Sequence, residues 1–433
     1  MSLKKQVTKG VKWTTASSIV LAIVAILKIS VLARFLDKAD FGLMALVTFV
    51  MSFMELFNDM GLSSAILHKQ DITKKQYASL YWINWCVSLL LFGLLYLLTP
   101  YVASFYEQPL LNTLIPLIGI NLLLSGLGRQ FKTIQQKKML FNLIGIIEIV
   151  GACFSLIIAI FLAIKGYGVF SLVYSLIFQS LFTNISFFII GIKQQGLIFH
   201  FKFIEIQSFI KIGIYQVGGQ IINYFNRDLD ILLIGKLFSA DALGGYSLAK
   251  QLVFRPAQLI NPILVKVATP TLALFQKDIN ELKKAYLRLI NIVASINIPI
   301  YFGVIIFASF IVQVLYGTGF ENIVIIVRIL SVYMIFRSLG NPIGSLVVAT
   351  GRTDLEFVWN VIVLLITPLF IYLGSRFSIV GVTIGVTLSM IILYLPAWRL
   401  LVFKLTRASF LEYFKACFKM NFNFLGLLKN KFN

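Results

Sequence analysis

The stretch Gly213-Ile-Tyr-Gln-Val-Gly-Gly-Gln-Ile-Ile-Asn-Tyr-Phe-Asn-Arg-Asp-Leu-Asp230 decides how the rest of the chain is read. Gln216, Gln220, Asn223, Arg227 and Asp230 recur at steps of four, three, four and three. On an α-helix those steps put all five on one side. The remaining positions are largely apolar, and the stretch runs through Ile234-Gly-Lys-Leu-Phe-Ser-Ala-Asp-Ala-Leu-Gly-Gly-Tyr246 into a second apolar run. A helix with one polar side inside a strongly apolar chain faces a water-filled cavity, or uses the polar side to bond neighbouring helices. Arg227 and Asp230 favour the cavity.

Composition sets the frame. Of 433 residues, 59 % are hydrophobic and 13 % charged, whereas soluble domains average about 45–50 % apolar and about 25 % charged. The chain therefore reads as a polytopic membrane protein. Its net charge of +21 does not indicate nucleic acid, because the Lys and Arg residues lie in short clusters between apolar runs. Cys86, Cys153 and Cys417 lack the spacing of a disulfide framework or metal site. His68 and His200 lie in separate loops, so no catalytic, metal or cofactor centre is expected. The apolar run after Lys9 and Lys12 is of helix length and has no cleavage motif, so it reads as a retained span.

Twelve segments are long enough to cross a bilayer: 12–34, 41–63, 79–103, 109–128, 139–163, 167–192, 207–235, 243–268, 288–315, 323–349, 357–375 and 378–403. Alternate connections separate by charge. One set carries Lys9 and Lys12, Lys74 and Lys75, Arg129 and Lys132, Lys137 and Lys138, Lys193 and Lys202, Lys277, Lys283 and Lys284, Arg352, and Arg399 to Lys419. The other carries only Arg34, Lys38, Lys165, Lys236 and Arg376. This bias places both termini in the cytoplasm. Phe410, Leu411, Phe414 and Phe418 with Lys415 and Lys419 read as a basic amphipathic helix on the inner leaflet. The connection 271–286 has a similar composition and reads the same way.

A repeat organises the spans. Leu32-Ala-Arg-Phe-Leu-Asp-Lys-Ala-Asp-Phe-Gly-Leu-Met-Ala-Leu46 aligns with Ile234 to Leu248, so that Arg34 meets Lys236 and Gly42 meets Gly244 at an offset of 202. Parallel repeats of this kind build transporters. The fold expected is an all-α membrane protein with about twelve transmembrane helices in two pseudo-symmetric six-helix bundles around a central cavity. The divisions would be 1–206, 207–404 and a tail, 405–433.

Polar faces recur in the paired spans: Thr48, Ser52, Glu55 and Asp59 on the second, and Ser247, Gln251, Arg255 and Gln258 on the eighth. Lys28 sits at the same offset as Asp230. A charge at a helix centre costs about 2.5–3.5 kcal/mol on insertion scales, so Glu55, Glu148, Arg255 and Arg337 need a cavity or a partner. Snorkelling remains an equal reading for Lys28, and structural pairing for Arg255 with Glu55. Clustered Arg and Lys suit a large anion such as a lipid diphosphate, because Arg grips phosphate oxygens in pairs and Lys acts as a point charge. The substrate-binding set is Arg227, Lys250, Arg255, Arg337, Lys28, Gln216, Gln220, Asn223 and Gln251. Glu55, Asp59, Glu148, Asp228 and Asp230 would offset these charges or carry a coupling H⁺ or Na⁺.

The chain resembles the multidrug/oligosaccharidyl-lipid/polysaccharide exporter superfamily, in its Wzx-type polysaccharide-flippase branch, and is most similar to the teichuronic and colanic acid exporter-like subgroup. The residues that carry the resemblance are Gly10-Val-Lys-Trp13, Leu32 to Leu46, Asn226-Arg-Asp-Leu-Asp-Ile-Leu-Leu-Ile-Gly-Lys-Leu237, Leu243-Gly-Gly-Tyr-Ser-Leu-Ala249, Leu315-Tyr-Gly-Thr-Gly-Phe320 and Ala349-Thr-Gly-Arg352. Leu243-Gly-Gly-Tyr246 departs from the family's Leu-Gly-Tyr-Tyr. The resemblance implies a bacterial inner-membrane flippase that turns an undecaprenyl-diphosphate-linked oligosaccharide to the outer leaflet by alternating access. It would be coupled to an ion gradient and would work among membrane lipids alongside a polysaccharide polymerase or export machinery. Three other readings stand beside it. A drug or small-cation exporter of the same superfamily would favour a cavity of carboxylates and aromatics, against which the Arg-rich faces argue. A polysaccharide-assembly enzyme would need a catalytic base. A scaffold would leave the deep charges without a purpose.

Overall fold

The computed structural model describes residues 3–69 and 71–419; the side chains of 3–8, 208, 210–217, 262–264, 266 and 267 lie outside that description. Inside hydrocarbon a backbone has no water to bond, so it satisfies its own polar groups as helix. The described chain is accordingly helical between short turns: α1 (Leu3–Leu32), α2 (Lys38–Asn58), α3 (Leu62–His68), α4 (Lys74–Tyr106), α5 (Leu111–Lys137), α6 (Phe141–Ile164), α7 (Val169–Gln195), α8 (Phe203–Leu237), α9 (Ala240–Leu274), α10 (Ile279–Tyr316), α11 (Val324–Thr350), α12 (Thr353–Ser375), α13 (Ile379–Ala397), α14 (Lys404–Thr406) and α15 (Phe410–Phe418). A π-helical turn, Trp398–Phe403, joins α13 to α14 just after Pro396.

Each of the twelve expected spans has its helix. Among the described residues ten are long and apolar enough to cross a membrane. The other two, α8 and α9, are 35 residues each and carry the polar stripes. Several helices outrun the expected spans. Arg129, Lys132 and Lys137 lie within α5, so they extend a helix instead of filling a loop. The connection 271–286 is likewise not a surface helix: it is divided between the end of α9 and the start of α10, with Leu282 and Tyr286 buried.

The chain forms two compact units, Met1–Gly244 and Gly245–Asn433. In the first, α5 packs on α4 and α7, α1 on α6, and α8 on α2. Asn58, fully buried, ties three helices of this unit: its amide donates to Ser125 Oγ at 2.7 Å and its oxygen accepts from Ser88 Oγ at 2.7 Å. In the second, α11 packs on α10 and α13, and α12 on α13. Gly374 and Gly381 let α12 and α13 touch; a Cβ on Gly374 would lie 2.3 Å from the Gly381 carbonyl oxygen. The described part of the tail, α15, docks on α10. Tyr413 and Cys417 are fully buried there, and the Tyr413 ring stacks on Tyr394 and Tyr286. Phe410, Leu411, Phe414 and Phe418 remain exposed.

The repeat is visible at the helix starts. Asp40 Oδ2 accepts the Asp37 amide at 3.3 Å ahead of α2, and Ser239 Oγ accepts the Ala242 amide at 3.3 Å ahead of α9. Asp37 and Ser239 are 202 positions apart. Each side-chain oxygen meets a backbone donor that the first helical turn leaves without an intrahelical partner.

Candidate functional site

Within the first unit, Tyr224 sets the rotation of α8. Its ring packs against Phe49 and Phe53 of α2, with centroids 5.3 Å and 5.7 Å away, and its hydroxyl donates to the Phe49 carbonyl. With Tyr224 buried, the stripe beside it turns outward: Gln220, Asn223 and Arg227 are exposed. The Gln216 side chain lies outside the described residues. Asp230 leaves the stripe; it is 7 % exposed and accepts the Ile231 amide at 2.9 Å.

Arg227 has a built-in counter-ion. Its Nε donates to Asp228 Oδ2 at 2.7 Å, and the guanidinium carbon stands 6.0 Å from the Tyr224 ring centre.

The other charges of this unit have separate surroundings. Lys28 reaches from α1 to α6, where its Nζ donates to Ser155 Oγ at 2.8 Å. Glu148 of α6 pairs with Lys132 of α5 at 2.5 Å. Asp59 accepts from Ser63 Oγ across the turn between α2 and α3, where Met60 and Gly61 take left-handed backbone angles. Glu55 and Thr48 are exposed on α2, and Ser52 is half-buried.

Within the second unit, two cations share one ring. Lys250 Nζ lies 5.5 Å from the centre of Phe254, and the Arg337 guanidinium carbon lies 5.5 Å from the same centre. Lys250 and Phe254 are one turn apart on α9; Tyr333 and Arg337 are one turn apart on α11. Phe254 stacks on Tyr333 with centroids 6.2 Å apart, and Arg337 Nη1 donates to the Tyr333 hydroxyl at 2.6 Å. Each cation over a ring face gains about 0.5–1 kcal/mol when exposed and about 2 when desolvated. The ring pair thus brings two like charges to one place in the second unit. Arg255 is half-buried on α9 and Gln251 exposed. Tyr316, which donates to the Leu248 carbonyl at 3.1 Å, lies within electrostatic reach of Arg255.

The spacing of polar residues found Lys250 and Arg337 but passed over Phe254, Tyr333, Tyr224 and Ser155. The first two had a readable signal: an aromatic residue four positions from each cation, Lys250 with Phe254 and Arg337 with Tyr333.

The family profile described as polysaccharide biosynthesis protein matches residues 31–325. The teichuronic acid biosynthesis protein TuaB of Bacillus subtilis is 30 % identical over 376 residues, which cover 86 % of this chain and 77 % of that protein. The lipopolysaccharide biosynthesis protein WzxC of Escherichia coli is 28 % identical over 423 residues, covering 95 % of this chain and 84 % of that protein. Among solved structures, the lipid II flippase MurJ in an inward closed conformation superposes with a TM-score of 0.78 at 15 % identity, over 98 % of this chain and 93 % of that one. An inward-facing multidrug resistance MATE family transporter superposes at 0.69 with 16 % identity, over 89 % and 96 %.

Proposed function

The chain belongs to the polysaccharide biosynthesis protein family, and from that premise we propose that it is a flippase for lipid-linked oligosaccharides. It turns an undecaprenyl-diphosphate-linked glycan unit from the cytoplasmic to the outer leaflet of a bacterial inner membrane, with both termini cytoplasmic. The observation that carries the reading is the pair of cations on the Phe254 ring. A diphosphate needs concentrated positive charge in a place of low dielectric, where Arg binds oxygens in pairs and Lys adds an undirected charge. The aromatic faces beside that charge suit sugar rings.

Gln251 and Arg255 extend this surface on α9, and Gln220, Asn223 and Arg227 form a second polar surface on α8. Asp228 acts as the counter-ion that yields Arg227 to the incoming phosphate. Among the carboxylates, Glu55 and Asp228 are the ones proposed to carry a coupling H⁺ or Na⁺. Asp59, Glu148 and Asp230 have structural bonds to Ser63, Lys132 and the Ile231 amide. A polysaccharide polymerase would take the product.

The test is translocation of a lipid-diphosphate oligosaccharide in proteoliposomes, with and without an imposed proton or Na⁺ gradient. Transfer that stops in Lys250→Ala and Arg337→Ala supports the reading. Equal transfer by these variants and the parent protein overturns it.

A further inference from the structure

We propose a second, separate ligand site, for the phosphate headgroup of an anionic phospholipid, at the common end of α4, α5 and α7 in the first unit. Three spans meet there: α4 begins at Lys74, α5 ends at Lys137 and α7 ends at Gln195. Between them lies an open cavity of about 340 Å³ lined by Lys74, Tyr77, Lys137, Lys138 and Gln194. Three ammonium groups, Lys74 at the start of α4, Lys137 at the end of α5 and Lys138 just after it, thus border one hollow at the ends of spans.

The lysines are held in place. Lys137 Nζ donates to the Lys69 carbonyl. Lys138 Nζ donates to Gln194 Oε1 at 3.4 Å, and Gln135 Nε2 donates to the same oxygen at 3.1 Å, which fixes the Gln194 amide at the rim. Asp71 is the carboxylate within electrostatic reach of Lys137. Among the described lining residues are three lysines and no carboxylate, so the hollow is cationic. Lysine suits a mobile headgroup, because it is a point charge that demands no fixed geometry.

What lies beside the hollow selects a lipid over a soluble phosphate. The connection from α7 to α8 and the first turn of α8 carry Ile198, Phe199, Phe201, Phe203 and Ile204, all exposed, with Phe199 91 % exposed. This strip is ordered by bonds of its own: Trp82 Nε1 donates to the Ile198 carbonyl at 3.1 Å, and the Lys202 amide donates to Ser79 Oγ at 3.1 Å. Its first residues border a smaller hollow that shares Lys74 and Tyr77 with the cationic one. Exposed apolar residues clustered this closely, with only His200 and Lys202 between them, mark contact with membrane or partner. Positive charge joined to that strip matches an amphiphile, with phosphate among the lysines and acyl chain along Phe199 and Phe201. The passenger site lies elsewhere in the chain, so this assignment does not depend on it.

The experiment is native mass spectrometry of the full chain in detergent, titrated with phosphatidylglycerol. One lipid should be retained on the parent protein. Because each lysine near an anionic surface contributes about 1 kcal/mol, Lys74→Gln/Lys137→Gln/Lys138→Gln should bind about a hundredfold more weakly. Lys138→Gln alone, an exposed position that leaves the fold intact, should bind about fivefold more weakly. Phosphatidylcholine should be retained poorly, and Lys277→Gln/Lys284→Gln should behave as the parent. Equal retention by the lysine variants, equal loss in the Lys277/Lys284 control, or displacement of the lipid by an equal concentration of inorganic pyrophosphate would each overturn the assignment.

Discussion

Gly42 and Gly244 stand 202 positions apart and hold the starts of α2 and α9 backbone to backbone. A Cβ on Gly42 would lie 1.9 Å from the Ala240 carbonyl oxygen; one on Gly244 would lie 1.7 Å from the Lys38 carbonyl oxygen. Ala240 is itself the repeat equivalent of Lys38, so the contact is reciprocal. All four residues belong to the unit that ends at Gly244. A residue with any side chain would force the helix starts apart, and overpacking of this kind costs about 1–3 kcal/mol or more.

Gly42→Ala and Gly244→Ala should therefore each lower the melting temperature of the purified protein. Gly93→Ala is the control, since nothing lies within 4 Å of its added Cβ. Being mid-helix, it should be neutral or stabilising by up to about 1 kcal/mol. Equal melting of all three variants would remove the packing role from the repeat.

The shared ring in the second unit separates charge from shape. Arg337→Ala and Lys250→Ala should each cut surface polysaccharide at least about tenfold in a complementation assay, since 1.4 kcal/mol of lost binding already has that effect. Phe254→Leu keeps the bulk but not the ring face, and should give an intermediate loss. Membrane insertion of all three, read by membrane-fraction abundance, should match the parent.

Glu148 and Glu55 should behave differently. Glu148 already has Lys132 at 2.5 Å, so Glu148→Gln should reduce thermal stability while leaving translocation in place. Glu55→Gln should do the reverse, sparing stability and reducing the response to an imposed ion gradient. A Glu148→Gln protein that is stable but uncoupled would assign the coupling role to Glu148.

The docked tail gives a pH signature. Lys283 bonds Glu412 at 2.8 Å. This bond, with the Ser409 amide, holds the Glu412 carboxyl down at about 2 against the usual 4.5. The folded state therefore favours the charged form. That contribution is present above about pH 4.5 and is lost as the pH falls towards 2. Glu412→Gln should melt lower at pH 7 and show a smaller further drop between pH 4.5 and 2 than the parent. Glu412 is well exposed, so solvent screening keeps the effect modest.

Burial pushes the Cys417 thiol up to about 12, and Tyr394 donates to its sulfur at 2.9 Å. Reaction with a thiol reagent needs the thiolate. At pH 7.5 in detergent, maleimide should therefore modify Cys86 and Cys153, which are exposed, and spare Cys417 until the protein unfolds. Labelling of Cys417 in the folded protein would show that α15 is undocked.

Much of the architecture was readable along the chain, because a bilayer imposes a local rule. A span needs about 20 apolar residues, and a helix repeats its faces every 3.6 residues, so span number, the stripe on α8 and the 202-residue repeat follow from neighbours in sequence. The partners of the charges do not. Whether Lys28 snorkels or reaches Ser155, whether Glu148 faces a cavity or Lys132, and that Lys250 and Arg337 meet on Phe254 depend on which helices become neighbours and how each is rotated. Tyr224 against Phe49 fixes one such rotation, and no periodicity within α8 alone contains it. The tail shows the same division: its amphipathic pattern names an apolar face, but Tyr413 and Cys417 turn inward only because α10 and the end of α13 offer Tyr286 and Tyr394 to pack against. Local hydrophobic pattern decides which segments are helices; long-range packing decides what their costly polar groups touch.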